Sequence, residues 1–213
     1  MAVAKTFDKQ TAKFLAVVGE NMPELSGNVM QEWIQNPKAL QKALASALRP
    51  SEAVPELKIW KTIKLGAGPK TADEFRKALK DSGCRISDWA NDILGKPAFT
   101  VATEETEVDL VVKSVAELGF KDGATRADIY RRAQELGLEL CPPEVGPQLR
   151  LQYKDQPRNE WLLVGMEPIT DSDGDLHVFA VGRHVDDLSL HGHDGDPDGF
   201  WRGNYRWVFL RRK

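Results

Sequence analysis

The sequence predicts an α+β protein, with a helix-rich N-terminal half followed by a C-terminal antiparallel β-meander. Three observations predict it. Apolar residues recur at helical spacing through much of the chain before Tyr153; after it, short runs of alternating character appear; and turns rich in Asp and Gly separate those runs. The division expected is a helical segment over 1–55 and an α+β domain over 56–213, with helices to about residue 152 and the sheet over 160–211.

In the first segment, Asn36-Pro37 reads as a helix start, Asn as cap and Pro in the first turn, followed by a stripe of Leu40, Ala43, Leu44, Ala47 and Leu48. Pro50 ends that helix, and Ser51–Glu56 reads as a linker. Leu57, Ile59, Ile63 and Leu65 alternate with polar neighbours and predict a strand. Thr71 and Glu74 form a capping box for a helix carrying Phe75, Ala78 and Leu79, which Gly83 terminates; a shorter helix spans Ser87–Leu94. Val108, Val111, Val112, Val115 and Leu118 follow a helical period, and a second capping box, Thr125 with Asp128, starts a helix through Ile129, Tyr130, Ala133 and Leu136. These two predict an αα-hairpin. Strands are predicted over 161–169, 176–183, 188–191 and 205–210, with Asp171–Asp175 as the first hairpin turn.

Composition excludes several classes. The net charge is −3, from 29 basic and 32 acidic residues with no long tract of either sign, which argues against a surface built for polyanions. No run approaches the ~20 apolar residues of a membrane span, and Lys5, Lys9 and Lys13 interrupt the N-terminus where a signal peptide needs an apolar core. Cys84 and Cys141 lack C-x-x-C spacing and read as reduced thiols, so a cytoplasmic setting is expected.

W-K-T-I-K-L-G from Trp60, D-W-A-N-D-I-L-G-K-P-A-F from Asp88 and L-C-P-P-E-V-G-P-Q-L-R-L-Q-Y from Leu140 resemble a module of uncharacterised bacterial proteins. The similarity continues through M-E-P-I-T-D-S-D-G from Met166 to the ending R-W-V-F-L-R-R-K, and it spans the chain from about Gln31. The resemblance implies a bacterial relative and carries no residue role.

The candidate sites are of unequal chemistry. Gly66-Ala-Gly-Pro-Lys-Thr71 sits between a strand and a helix as a phosphate loop does, but Pro69 separates Gly68 from Lys70 and removes an N–H, so a turn with Thr71 as cap is expected instead. Asp194, Asp196 and Asp198 match the opening of a calcium loop, but its twelfth position is Tyr205 rather than Glu. His191 and His193, two apart, are candidates for a transition metal, with His177, His184 or Asp194 as third ligand. Cys141 ahead of Pro142-Pro143 is a candidate thiol nucleophile at a helix start. Thr125–Gly137 followed by Pro142–Leu151 imitates a helix-turn-helix, although only Arg150 is basic in its second helix.

From Phe200 to Lys213 aromatics interleave with arginines, a pattern that stacks on rings and meets phosphates. Tyr205, Trp207 and Phe209 on one side of a strand read as core, leaving Trp201, Arg202 and Arg206 as candidate binding residues. No set of residues reads as catalytic, and no cofactor is implied. The function expected is a non-catalytic binding or interaction module that meets an unknown protein or other macromolecular partner through this edge. The alternatives are a hydrolase using acidic residues of the C-terminal sheet, such as Glu167 and Asp171–Asp175, and a nucleic-acid-binding protein.

Overall fold

The computed structural model describes residues 9–20, 24–47, 57–185 and 187–212. The chain divides into two compact units, Met1–Ala53 and Val54–Lys213. The linker expected over Ser51–Glu56 lies outside the described residues, as do Lys5, Leu48 and Pro50.

The first unit contains α1 (Lys9–Glu20), α2 (Gly27–Gln35) and α3 (Pro37–Ala47). The start of α3 is the one its sequence predicts. Asn36 Oδ1 accepts from the Ala39 amide at 3.2 Å, satisfying a first-turn N–H that has no partner within the helix. No described helix is long and apolar enough to cross a membrane.

The second unit is a mixed α/β structure. In chain order it contains β1 (Lys61–Leu65), α4 (Ala72–Asp81), β2 (Arg85–Ile86), α5 (Asp88–Leu94), β3 (Thr106–Ser114), β4 (Ala124–Thr125), α6 (Arg126–Glu135), β5 (Leu138–Glu139) and α7 (Val145–Gln152). There follow β6 (Trp161–Val164), β7 (Ile169–Thr170), β8 (Leu176–His184), β9 (Asp187–Asp194), β10 (Phe200–Trp201) and β11 (Arg206–Arg211). Nine strands form one sheet whose main path runs β1-β3-β11-β6-β8-β9-β2, with β5 on β11 and β7 on β8; β10 and β4 pair separately.

This overturns the expected architecture in two places. The C-terminal strands are not a meander: β11 leaves its sequence neighbours and inserts between β3 and β6, antiparallel to the first and parallel to the second. A second parallel pairing joins β2 to β9. Nor is the first half mainly helical, because five strands interleave with its helices. The segment around Val108–Val115, predicted as half of an αα-hairpin, is the inner strand β3, flanked by β1 and β11. An inner strand covered on both faces buries successive residues, here Leu110 and Val111, which imitates helical spacing; the β-branched valines also suit a strand better than a helix.

Elsewhere local chemistry sets the elements. Thr71 Oγ1 accepts from the Glu74 amide and Thr125 Oγ1 from the Asp128 amide, each at 3.2 Å, capping α4 and α6. One contiguous core runs through the sheet, from Ile63 and Leu65 through Leu110, Phe209, Leu163 and Val181 to Leu190, with Leu79, Ile93, Ile129 and Leu149 supplied by α4, α5, α6 and α7.

Candidate functional site

Residues directly opposite in a sheet share a face, and alternate residues of one strand do too. Trp161 lies opposite Gly182, Leu163 opposite Ala180, Ala180 opposite His191, and Val178 opposite His193. Trp161, Leu163, Ala180, His191 and His193 therefore lie on one face of β6, β8 and β9. Of these, Trp161, Leu163, Ala180 and His193 form the floor of a cleft of about 660 Å³, walled by the 157–160 loop and by Asn204, Tyr205 and Arg206.

The cleft wall is braced from inside. Arg150, fully buried in the last turn of α7, donates to Gln156 Oε1 and to the carbonyls of Tyr153 and, at 3.3 Å, Gly182. Gln156 in turn donates to the Glu160 and Val181 carbonyls at 3.2 Å each, pinning the loop to β8. Glu160, at the loop's end, accepts from Arg206 Nη1 at 2.6 Å and from the Tyr153 hydroxyl at 2.7 Å. Burial and the Glu160 carboxyl both push the Tyr153 phenol up, so it remains a donor at neutral pH.

Aromatic surface stands open at the same place. Trp161 is 38% exposed and Tyr205 39%. A methyl group on Gly182 would come within 2.7 Å of the Trp161 benzo ring, so the indole rests against the bare backbone of β8, with His191 edge-on at 4.8 Å. Burial lowers the affinity of His191 and His193 for a proton; at His191 the charges of His193 and Arg85 add to it, and at His193 Asp194 opposes it while His177 adds to it. An adjoining cleft of about 450 Å³ shares Arg206 and adds Lys58, Lys113 and Glu117. Together the two clefts present Lys58, Lys113, Arg158 and Arg206 against Glu117 and Glu160, a locally positive region on a chain of net charge −3.

The predicted site residues divide around this cleft. Arg206 lines it, whereas Arg202 is exposed and outside its lining. Trp201 does not project from the sheet: it is 5% exposed, packed edge-on against Trp207 at 5.2 Å, Tyr205 at 5.1 Å and His193 at 5.4 Å. Strand β10 folds back onto β4 and carries it inward. Trp161 and Glu160 line the cleft without being singled out in the sequence, and Tyr205, expected in the core, is exposed there; an aromatic beside a charged residue at a strand start is too common a pattern to single them out.

The metal set does not assemble. Among the described residues no three His, Cys, Asp or Glu side chains form a group that would hold a metal ion. His191 and His193 pack on Trp161 and Trp201, while Asp194 Oδ1 and Asp196 Oδ1 each accept, at 2.8 Å, from the amide two residues ahead, Asp196 and Asp198 respectively. Those contacts shape a loop rather than a coordination sphere.

Three other motifs resolve into structure. At the Gly66–Thr71 loop the Glu144 carboxyl accepts from the Gly66 amide at 2.7 Å and the Ala102 amide at 2.8 Å, so the chain supplies its own anion there; Lys70 Nζ turns back to the Gly66 carbonyl at 2.5 Å. The Cys141 thiol is buried, its Sγ 3.6 Å from the Val208 carbonyl, and burial pushes it well above the ordinary thiol range. Helix α7, second in the helix-turn-helix imitation, buries every residue from Val145 to Arg150 and has no face for a DNA groove. Of the hydrolase candidates, Glu167 is exposed and Asp171 is committed to holding the turn before β8. Comparison with family models, with curated proteins and with solved structures gave no match.

Proposed function

We propose that the protein is a non-catalytic binding module whose 660 Å³ cleft takes a small anion carrying a planar ring, of about the size of a mononucleotide. The observation that carries this reading is Trp161, laid against Gly182 with 38% of its surface open beside Arg206. A flat ring stacks on such an indole and on Tyr205, while the cations at the cleft mouth attract its negative charge. Binding is favoured over hydrolysis because both oxygens of Glu160, the carboxyl in the cleft, are engaged by Arg206 and Tyr153. The proposed setting is the cytoplasm, in keeping with two buried free cysteines.

Calorimetric titration of the whole chain with adenosine 5′-monophosphate, adenosine and ribose 5-phosphate tests this. The monophosphate should bind best, since it alone offers both ring and charge, and added salt should weaken it. Trp161→Ala should reduce its affinity at least ~10-fold, a loss of ~1.4 kcal/mol. Equal behaviour of all three compounds, or an unchanged Trp161→Ala variant, overturns the reading.

A further inference from the structure

The 660 Å³ cleft meets the adjoining cleft of about 450 Å³ at Arg206, and the end of a strand ladder accounts for that second opening. Pairing of β1 with β3 starts at Lys61 opposite Leu110, and the Trp60 amide donates to the same Leu110 carbonyl at 2.8 Å. Two successive residues of one chain thus stand against one of the other, a bulge of the kind that bends its strand and ends pairing. Beyond it, among the described residues, β3 keeps β11 on one side from Val111 to Ser114 and has no strand on the other. The 450 Å³ cleft lies at this free edge, lined by Val112 and Lys113 of β3 and by Lys58, Ile59 and Trp60 of the chain ahead of β1.

Its chemistry repeats that of the first cleft. Apolar surface is open there: Ile59 is 37% exposed, and Trp60 is partly buried, held edge-on against Tyr153 at 5.0 Å. The carboxyls along both clefts are already engaged by the protein. Glu117 Oε2 accepts from the Ser114 amide and hydroxyl at 2.7 Å each, and Glu160 is held by Arg206 and Tyr153. Among the described residues neither Lys58 nor Lys113 closes a salt bridge. Arg206 spends Nη1 on Glu160, yet its side chain is 41% exposed, and a guanidinium has further N–H groups to offer. A basic saddle therefore separates two patches of open apolar surface. Trp161 on β6 and Val112 on β3 flank β11, two strand spacings or about 10 Å apart.

We propose that the two clefts form one track for a single-stranded oligonucleotide. The nucleotide of the first cleft is followed by a second, whose base lies against Ile59 and Trp60 and whose linking phosphate meets Arg206 and Lys113. Splayed bases on apolar platforms, with cations along the backbone between them, are how single strands are held. This assignment rests on the ring-and-anion reading of the first cleft and extends it. A polyphosphate tail has use for the lysines but none for the open surface of Ile59 and Trp60, so a second base is favoured.

Calorimetric titration of the full chain with adenosine 5′-monophosphate, adenosine 5′-triphosphate and the 5′-phosphorylated dinucleotide pApA, each at two salt concentrations, tests the track. The dinucleotide should bind at least ~10-fold more tightly than the monophosphate, and its affinity should fall more steeply with salt. Ile59→Ser, at an exposed position outside the first cleft, should weaken pApA at least ~5-fold, the low end of what one base contact contributes, and leave the monophosphate unaffected. Lys58→Gln/Lys113→Gln should flatten the salt dependence of pApA. Dinucleotide binding no tighter than that of a monophosphate that still depends on Trp161 overturns the track and leaves the first cleft as a mononucleotide site. Triphosphate binding tighter than pApA, or pApA binding indifferent to both variants, overturns it as well.

Discussion

Asp171 and His177 stand at the two ends of one hairpin turn and close it from within, their side chains 2.9 Å apart and both almost wholly buried. Main-chain bonds join the same turn, from the Asp171 amide to the Asp175 carbonyl at 2.9 Å, and Asp92 of α5 accepts from the Ser172 amide and hydroxyl at 2.6 and 2.9 Å. The turn is thereby fixed both to β8 and to the helix that carries Trp89.

An acid-labile contribution follows. Burial pushes the Asp171 carboxyl up, but the Asp175 and Asp173 amides and His177 together outweigh it and hold the group below the ordinary aspartate value. A carboxyl whose folded pKa is depressed stabilises the fold above its unfolded value, ~3.9, and that contribution disappears as pH falls through the lower, folded value. Thermal scans from pH 7 to pH 2.5 should show Asp171→Asn with a lower Tm at neutral pH and a shallower acid limb. Parallel curves for variant and parent would count against this account.

The Gly66 loop offers a test of the internal anion. Gly66 has φ +65°, and its amide meets Glu144 Oε1 while the Ala102 amide meets Oε2. In Glu144→Gln one of those oxygens becomes an NH₂ group facing an N–H donor. Leaving one buried donor unsatisfied should cost about 1–3 kcal/mol in denaturant unfolding. Lys70→Ala should cost far less, and nucleoside triphosphates should not restore the Gln variant; restoration would revive the phosphate-loop reading.

How much of this was legible follows from what each pattern encodes. The caps at Thr71, Thr125 and Asn36 are local, and the sequence located all three because a hydroxyl or amide oxygen three residues ahead of an N–H is sufficient. β3 was misread because Leu110 and Val111 are buried on opposite faces, and a two-faced strand has no period-two signal to offer. Strand order is a long-range property: nothing in Arg206–Arg211 states that it pairs with both Leu110–Ser114 and Leu163–Val164. The same holds for the site. Trp201 and Trp161 have equally suggestive neighbours in sequence, and only the fold buries the first and opens the second.

Packing against Gly192 positions the start of α5 and with it Trp89, whose ring stacks on that of His177 at 5.1 Å. A methyl group there would lie 2.6 Å from Trp89 Cβ and 3.0 Å from the Ala90 amide nitrogen, so α5 reaches β9 only because the residue beneath it has no side chain. Gly192→Ala must push α5 outward, and overpacking of this kind costs roughly 1–3 kcal/mol. Urea unfolding should register that loss, and the Trp89 indole resonance should shift as its stack on His177 loosens. A variant of parental stability with an unmoved Trp89 signal would show that the helix has slack.

The two cleft histidines make the fold sensitive to mild acid in a direction that can be worked out. Burial is the main cause that lowers both below the ordinary histidine value, and at His193 the neighbouring Asp194 only partly opposes it. The unfolded chain therefore takes up protons at a higher pH than the folded one, near ~6.5, and between the two values unfolding gains protons. Their stabilising contribution is complete above that unfolded value and fades as pH falls through the folded values. His191→Gln/His193→Gln removes both titrating groups while keeping polar side chains beside Trp161 and Trp201. The parent should lose stability in urea between pH 7.5 and pH 5, and the double variant should lose less over the same span. Because the His193 ring lines the cleft of the proposed site, acid should also disturb ligand binding there, and the disturbance should be smaller in the variant. Identical pH profiles for the two proteins would place the acid sensitivity elsewhere in the fold.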